Sequence, residues 1–422
     1  MAPTNRVARL ACGVAAIAAA LAPLSARAQT LADRIHGASG DVEIHFAARP
    51  GVCGDGEGSM SFRSRHADDD DNDYWTHCEA GPVRVRLTVT NGTVSAIHTL
   101  VGSRHRGIAG LTDLGVVGDG DATAYLMNLA RSAEAAVARE AVAPVALADS
   151  VTVAPGLLAL AVDRARPVEV RKSALFWAGQ VDESDVSKPV ERIAGDTSEN
   201  RTMREQAVFV LSQLPDGAGV PALTGIARST RDTWLAAKAT FWLGQSDDPR
   251  AGATLRQLVT DPNVSDDVKG QAVFVLGQHD SADDQAFLRR EFDSLGTKKL
   301  QERVLMGASQ HGGADGRAWL MTIVGDSARP VEVRKQALFW AGQGGEVTTS
   351  DLAALYDRLH EDAMRRQVIF VLSQRDDSTA TDALIHIAST DPDHDLRKQA
   401  MFWLGQKTDP RVAKFLTGIL EH

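Results

Sequence analysis

The chain is 422 residues long, with 44% hydrophobic residues, 24% charged residues and a net charge of −10. That length exceeds one compact domain, and the balance of apolar and charged residues excludes global disorder. The acidic excess makes a polyanion such as nucleic acid a poor partner, while basic proteins and neutral peptides remain open. Residues 1–28 read as a signal peptide. Arg6 and Arg9 give a basic start, residues 10–22 an apolar stretch too short to span a bilayer comfortably, and Ala26-Arg27-Ala28 a small-x-small cleavage site. Cys12 begins the apolar stretch three residues after Arg9, a poor fit to a lipoprotein anchor. No later segment is apolar for long enough to cross a membrane. The expectation is a periplasmic or secreted protein with no transmembrane segment in the mature chain.

Export would leave two cysteines, Cys53 and Cys78, which in an oxidising compartment predict one disulfide. Such a link contributes roughly 3 kcal/mol by chain-entropy reasoning. The alternative is a metal site, because His66, His77 and Asp68, Asp69, Asp70 and Asp71 lie between the cysteines. No spacing among them matches a zinc or calcium frame. Residues 29–105 otherwise alternate as strands do. Val42, Ile44 and Phe46 share one face, and Val83, Val85, Leu87 and Val89 another. Asn91-Gly92 predicts a tight hairpin turn, since both residues tolerate positive φ, with residues 94–101 as the returning strand. The acidic run 68–73 repels itself and is expected as an exposed loop. These features predict a small β-rich domain, followed by a linker over 106–119.

From residue 120 to 422 the pattern turns helical and repetitive. Residues 165–180 read ARPVEVRKSALFWAGQ and residues 328–343 read ARPVEVRKQALFWAGQ, differing only at Ser173 against Gln336. Weaker copies lie between and after them, as in REQAVFVLSQ (204–213) and RKQAMFWLGQ (397–406). The closing glutamines Gln180, Gln213, Gln245, Gln278, Gln310, Gln343, Gln374 and Gln406 step by 33, 32, 33, 32, 33, 31 and 32 residues. A fixed period of this length signals a solenoid. Each unit reads as two helices joined by a short turn, often with Asp or Pro. In the second helix Val170, Ala174 and Trp177 share a face. A degenerate unit at 139–149 precedes the array, and Phe415, Leu416, Ile419 and Leu420 predict a further helix after it. The expected fold is mostly α: a solenoid of about nine helix pairs preceded by the β-rich domain.

The stretch Pro167-Val168-Glu169-Val170-Arg171-Lys172-Ser173-Ala174 resembles the HEAT-repeat signature, and the short period resembles the phycobilisome-lyase type of HEAT-like repeat. The resemblance covers about 120–422; the β-rich part resembles no known family. It implies the solenoid fold but no single function, because such repeats serve scaffolds, adaptors and a few enzymes. Deoxyhypusine hydroxylase, an enzyme of this fold, holds two irons with several His-Glu pairs. This chain has the one pair His360-Glu361, which cannot build a di-iron site.

Nothing in the sequence predicts a catalytic residue, a metal ligand set or a cofactor. His-Glu-x-x-His, Gly-x-Ser-x-Gly and the phosphate-binding glycine loop are all absent, and Gly115, Gly118 and Gly120 lack a strand–turn–helix frame. What recurs is a pair of ladders. Phe176, Phe209, Phe241, Phe274, Phe339, Phe370 and Phe402 hold one position of the second helix, with Met306 in the odd unit. The closing glutamine follows four residues later, on the same side. Gln206, Gln271, Gln336, Gln367 and Gln399 stand three residues before the ring. In HEAT-like stacks the second helix lines the concave surface, so these side chains form a candidate grip for an extended peptide. The competing reading makes the rings inter-unit packing and the glutamines tethers for unpaired helix-end carbonyls. Trp177, Trp242, Trp340 and Trp403 alternate with Val210, Val275 and Val371, which suggests matched core volumes. Gly307 breaks the order and suggests a looser or bent unit. The sequence therefore points to an exported, non-catalytic scaffold with a protein or peptide partner. The alternatives are an enzyme or metal-dependent module in the β-rich part, with the repeats as a positioning arm, and a purely structural envelope protein.

Overall fold

The computed structural model describes residues 29–58, 60–62, 78–102, 109–181, 186–229, 232–279, 281–343 and 347–420. The leader, the acidic run 68–73, His66 and His77 lie outside the described residues.

A short helix, α1 (Leu31–His36), opens the fold. It is capped by Thr30 and Asp33 in a reciprocal box and anchored by buried Ile35. Strands β1 (Gly40–Phe46), β2 (Val52–Gly54), β3 (Met60–Phe62), β4 (Val83–Thr90), β5 (Thr93–Val101) and β6 (Thr112–Val116) follow. Four of them form a sheet in the order β5-β4-β1-β6, antiparallel except for β1 with β6; β2 and β3 pair separately. Asn91 and Gly92 adopt φ of 51° and 70° and make the β4–β5 hairpin turn, as their tolerance of left-handed backbone requires. Cys53 and Cys78 stand at disulfide distance, with Cα atoms 5.2 Å apart. Within 106–119, expected as a linker, Thr112–Val116 is β6, and a helix starts at Asp119, so Gly115, Gly118 and Gly120 do lie in a strand–turn–helix frame, contrary to expectation; the run TDLGV carries too little apolar alternation to announce the strand.

The helices come in pairs: α2 (Asp119–Ser132) with α3 (Ala135–Leu147), α4 (Ala154–Val162) with α5 (Val168–Gln180), α6 (Ser187–Gly195) with α7 (Arg201–Ser212), and α8 (Val220–Ala227) with α9 (Thr233–Leu243). They continue as α10 (Pro249–Thr260) with α11 (Asp266–Gln278), α12 (Ala282–Glu291) with α13 (Lys298–Gln310), α14 (Gly313–Gly325) with α15 (Val331–Gln343), and α16 (Thr349–Arg358) with α17 (Asp362–Ser373). The last pair is α18 (Ser378–Thr390) with α19 (His394–Leu404), and α20 (Pro410–Leu420) follows. The fold is thus a helical-repeat array preceded by a small sheet.

Several devices recur within the units. At five of the intra-pair turns an aspartate side chain accepts from the backbone N–H two residues on: Asp163, Asp196, Asp261, Asp326 and Asp391, at 2.8–3.1 Å. This is the local bond that makes Asp a turn residue. Arg171 sits one turn into α5, buried. Its Nε donates to the Ala161 carbonyl at the end of α4 (2.8 Å), and its Nη groups bind Glu199 of the next unit. Arg334 repeats this on the Val324 carbonyl (3.0 Å) and Glu361. One side chain thereby satisfies an unpaired helix-end carbonyl and ties two units together.

Sheet and array share one apolar core, running from Ile35 to Val412. Val42, Ile44, Phe46, Val83, Val85 and Leu87 are fully or almost fully buried on the sheet face that packs on α3. Backbone bonds from Arg49 N–H to the Leu147 carbonyl and from Asp149 N–H to the Ala47 carbonyl fasten the chain after β1 to the end of α3. A solenoid needs its end units covered, and the sheet covers the first pair.

Candidate interaction surface

The odd-numbered helices α3 to α19 stack on one another without interruption, whereas the even-numbered ones touch their counterparts only intermittently. The odd helices thus form the more tightly stacked layer, the one expected on the inner side of a curved double layer. Two ring pairs stack across neighbouring helices of this layer, Phe176 with Phe209 at 6.4 Å between centroids and Phe339 with Phe370 at 6.3 Å.

On α5 the fully buried positions are Val170, Ala174, Leu175 and Ala178. At about 100° per residue, Phe176 falls about 170° from the centre of that stripe. The rings therefore leave the helices on the side away from the buried stripe; Phe209, Phe274 and Phe370 still pack against the core, and Phe176–Phe209 and Phe339–Phe370 stack on each other. Phe176, Phe209, Phe274, Phe339 and Phe370 are half-buried, Phe241 is 36% exposed, and Phe402 is 60% exposed. Phe402 is the most open because no inner helix stacks beyond α19 among the described residues. The tryptophans sit beside this column: Trp242 lies 5.0 Å from Phe209 and Trp403 5.5 Å from Phe370, centroid to centroid.

The Trp and Val alternation has a steric counterpart. A Cβ at Gly179 would lie 2.5 Å from a Val210 methyl, and at Gly342 and Gly244 the corresponding clashes involve Val371 and Val275. Each glycine two residues after a tryptophan thus receives the valine of the next unit. At the odd unit Gly307 meets Gly277, and a Cβ on Gly307 would stand 3.1 Å from the Gly277 Cα. The break is a close helix–helix approach, a correction to the looser unit that the pattern suggested: two glycines in register let the backbones meet.

Gln213, Gln245, Gln278, Gln343, Gln374 and Gln406 are exposed and Gln180 is half-buried. Gln213 and Gln374 donate to the hydroxyls of Ser212 and Ser373, at 3.2 and 3.1 Å. Those hydroxyls in turn donate to the Phe209 and Phe370 carbonyls, so serine satisfies the helix end in both units. The side chains of the remaining closing glutamines make no hydrogen bond among the described residues, so a loop tether has no contact there. Where Met306 interrupts the rings, a groove of about 440 Å³ opens between Phe274, Met306 and Trp340, edged by Gln271, Lys299, Glu302 and Arg303.

Sequence reading passed over the residues four before each ring. Lys172, Glu205 and Ala237 hold that place in α5, α7 and α9, while Lys335, Arg366 and Lys398 hold it in α15, α17 and α19. The i,i+4 spacing that linked Phe to Gln also links these to Phe, and was the available signal.

Glu361 of the His360-Glu361 pair is engaged by Arg334. Among the described residues no group of three or more His, Cys, Asp or Glu side chains could hold a metal ion, and no helix is long and apolar enough to cross a membrane.

No protein-family model matches the chain, and no curated protein matches it. Among solved structures, human deoxyhypusine hydroxylase in complex with glycerol is similar at 18% identity, covering 60% of this chain and 94% of that one, with a TM-score of 0.26. A likeness that shallow says nothing about activity.

Proposed function

We propose that the chain is a HEAT-like, exported scaffold that holds an extended polypeptide along the concave side of its inner helices. The observation that carries this reading is the phenylalanine column. Phe209, Phe274 and Phe370 pack against the core on one side, yet the column stays partly exposed on successive units, more than burial for stability alone requires. Covering the rings would contribute about 25 cal/mol per Å² of apolar area. The glutamines beside them can donate to and accept from a peptide backbone. Export fits the Cys53–Cys78 pair, which an oxidising compartment would keep joined.

The test selects binders from a displayed library of random linear peptides, then measures their affinity for the wild type, for Phe370→Ser/Phe402→Ser and for Gln213→Ala/Gln278→Ala. The ladder variants should lose about tenfold or more in affinity, roughly 1.4 kcal/mol, with Tm nearly unchanged in the glutamine variant and moderately lowered in the phenylalanine variant, whose Phe370 stacks on Phe339 and packs against the core. Enrichment of no peptide, or a large fall in Tm with affinity intact, refutes the reading.

A further inference from the structure

The array contains two near-copies of one three-unit block. The first is built on α5, α7 and α9, the second on α15, α17 and α19. The ring geometry repeats: a stacked Phe pair at 6.4 or 6.3 Å, then a tilted Phe–Trp contact at 5.0 or 5.5 Å. The Ser212–Gln213 relay returns as Ser373–Gln374. Asp248-Pro249-Arg250 closes the first block, with Arg250 held by Asp248 and donating to the Gly217 carbonyl. Asp409-Pro410-Arg411 closes the second, with Arg411 held by Asp409 and donating to the Ser378 carbonyl.

What differs is the charge beside the rings. In the first block Lys172 is paired with Glu169 (3.4 Å) and Lys238 with Glu205 (2.6 Å), so the strip is neutralised from within. In the second block Lys335, Arg366 and Lys398 hold equivalent places, one helical turn from Phe339, Phe370 and Phe402, and Arg366 also acts on the Asp393 carboxyl. Lys335 is paired with Glu332 (3.3 Å), while Arg366 and Lys398 are exposed and in no ion pair among the described residues. By the standard of the first block Lys335 is neutralised, so the second block carries two cations without an ion pair among the described residues, Arg366 and Lys398, in a chain of net charge −10.

We infer that the concave face of α15, α17 and α19 is a subsite for an extended polypeptide segment in which apolar and acidic residues alternate. The inference rests on the scaffold reading above. Its spacing comes from the rings: 6.3 Å between Phe339 and Phe370 is close to the roughly 6.6 Å spanned by two residues of extended chain. Side chains at i and i+2 then meet Phe339 and Phe370, and the next ring in line is Trp403, 5.5 Å from Phe370. A strand lying between the rings and the basic side chains sends its alternate side chains to opposite sides. Apolar residues face phenylalanines, and carboxylates face Lys335, Arg366 and Lys398.

The experiment uses the full mature chain and two labelled peptides, acetyl-Leu-Glu-Leu-Glu-Leu-Glu-Leu-amide and its Gln-for-Glu counterpart, read by fluorescence anisotropy. The Glu peptide should bind about tenfold tighter at physiological salt, and the preference should shrink as salt is raised. Lys335→Gln/Arg366→Gln/Lys398→Gln should abolish the preference while leaving the Gln peptide's affinity unchanged. Phe176→Ser/Phe209→Ser, in the neutral block, should leave the preference intact. Equal binding of both peptides to the wild type, or a preference that survives the triple substitution, overturns the inference and leaves the scaffold reading standing. Binding of neither peptide overturns both.

Discussion

Replacing Arg171 by Met should destabilise the array more than replacing Arg334, although the two arginines sit in near-identical sequences. Each donates Nε to the carbonyl ten residues before it; Arg171 gives both outer nitrogens, and Arg334 its Nη1, to a glutamate of the next unit. Their partners differ in access to water: the Glu199 side chain is 7% exposed and that of Glu361 is 46% exposed. Arg171→Met leaves the Glu199 carboxylate with the Asn200 N–H (2.6 Å) and a more distant Arg164 (3.7 Å), at a cost of about 3 kcal/mol, the low end for a broken buried pair. After Arg334→Met the Glu361 carboxylate rehydrates, and the loss is mainly one hydrogen bond, about 1–2 kcal/mol. Repeat arrays need not unfold in one step, so the assay is native-state hydrogen exchange of the α5, α7, α15 and α17 amides. Adding Glu199→Gln to Arg171→Met should recover part of the loss, because it removes the stranded charge. Equal losses in the two single variants, or no recovery in the double, would refute the reasoning.

Three further outcomes are expected. Gly179→Ala should cost about 1–3 kcal/mol, because its new methyl meets Val210 at 2.5 Å; adding Val210→Ala should relieve the clash, so strictly additive losses in denaturation would contradict the pairing. Replacing Cys53 and Cys78 by Ser should weaken the β2–β4 region by about 3 kcal/mol, seen as faster exchange there and not in α15–α19. Several carboxyls have folded pKa values held below their ordinary range: Glu199 by Arg171, Asp248 by Arg250, Asp293 by Arg329 and Asp409 by Arg411, chiefly through side-chain hydrogen bonds. Depressed values give stability that is present above the unfolded pKa, about 4, and lost as pH falls through the folded ones. Tm should therefore be flat near neutrality and fall below about pH 4; a Tm that holds or rises under acid would count against these pairs.

The sequence by itself determined the repeat array. A unit of 31–33 residues cannot bury its own apolar face, so its recurrence dictates stacking whatever the detail. The Asn91-Gly92 turn and the facing strands were legible for a similar reason: backbone tolerance and period-two alternation are local properties. Strand β6 was not, because its pairing with β1 joins segments about 70 residues apart and its own pattern is weak. Nor could the sequence separate the two roles open to the phenylalanines. Spacing puts Phe176 on one side of α5, but which side faces α4, a neighbouring inner helix or solvent is fixed only when the helices dock. Docking left the rings partly exposed beside the core, set Gly277 against Gly307, and put Lys335, Arg366 and Lys398 from three units at equivalent places. Each of those positions is a single residue in its own helix. Only the stack makes them neighbours.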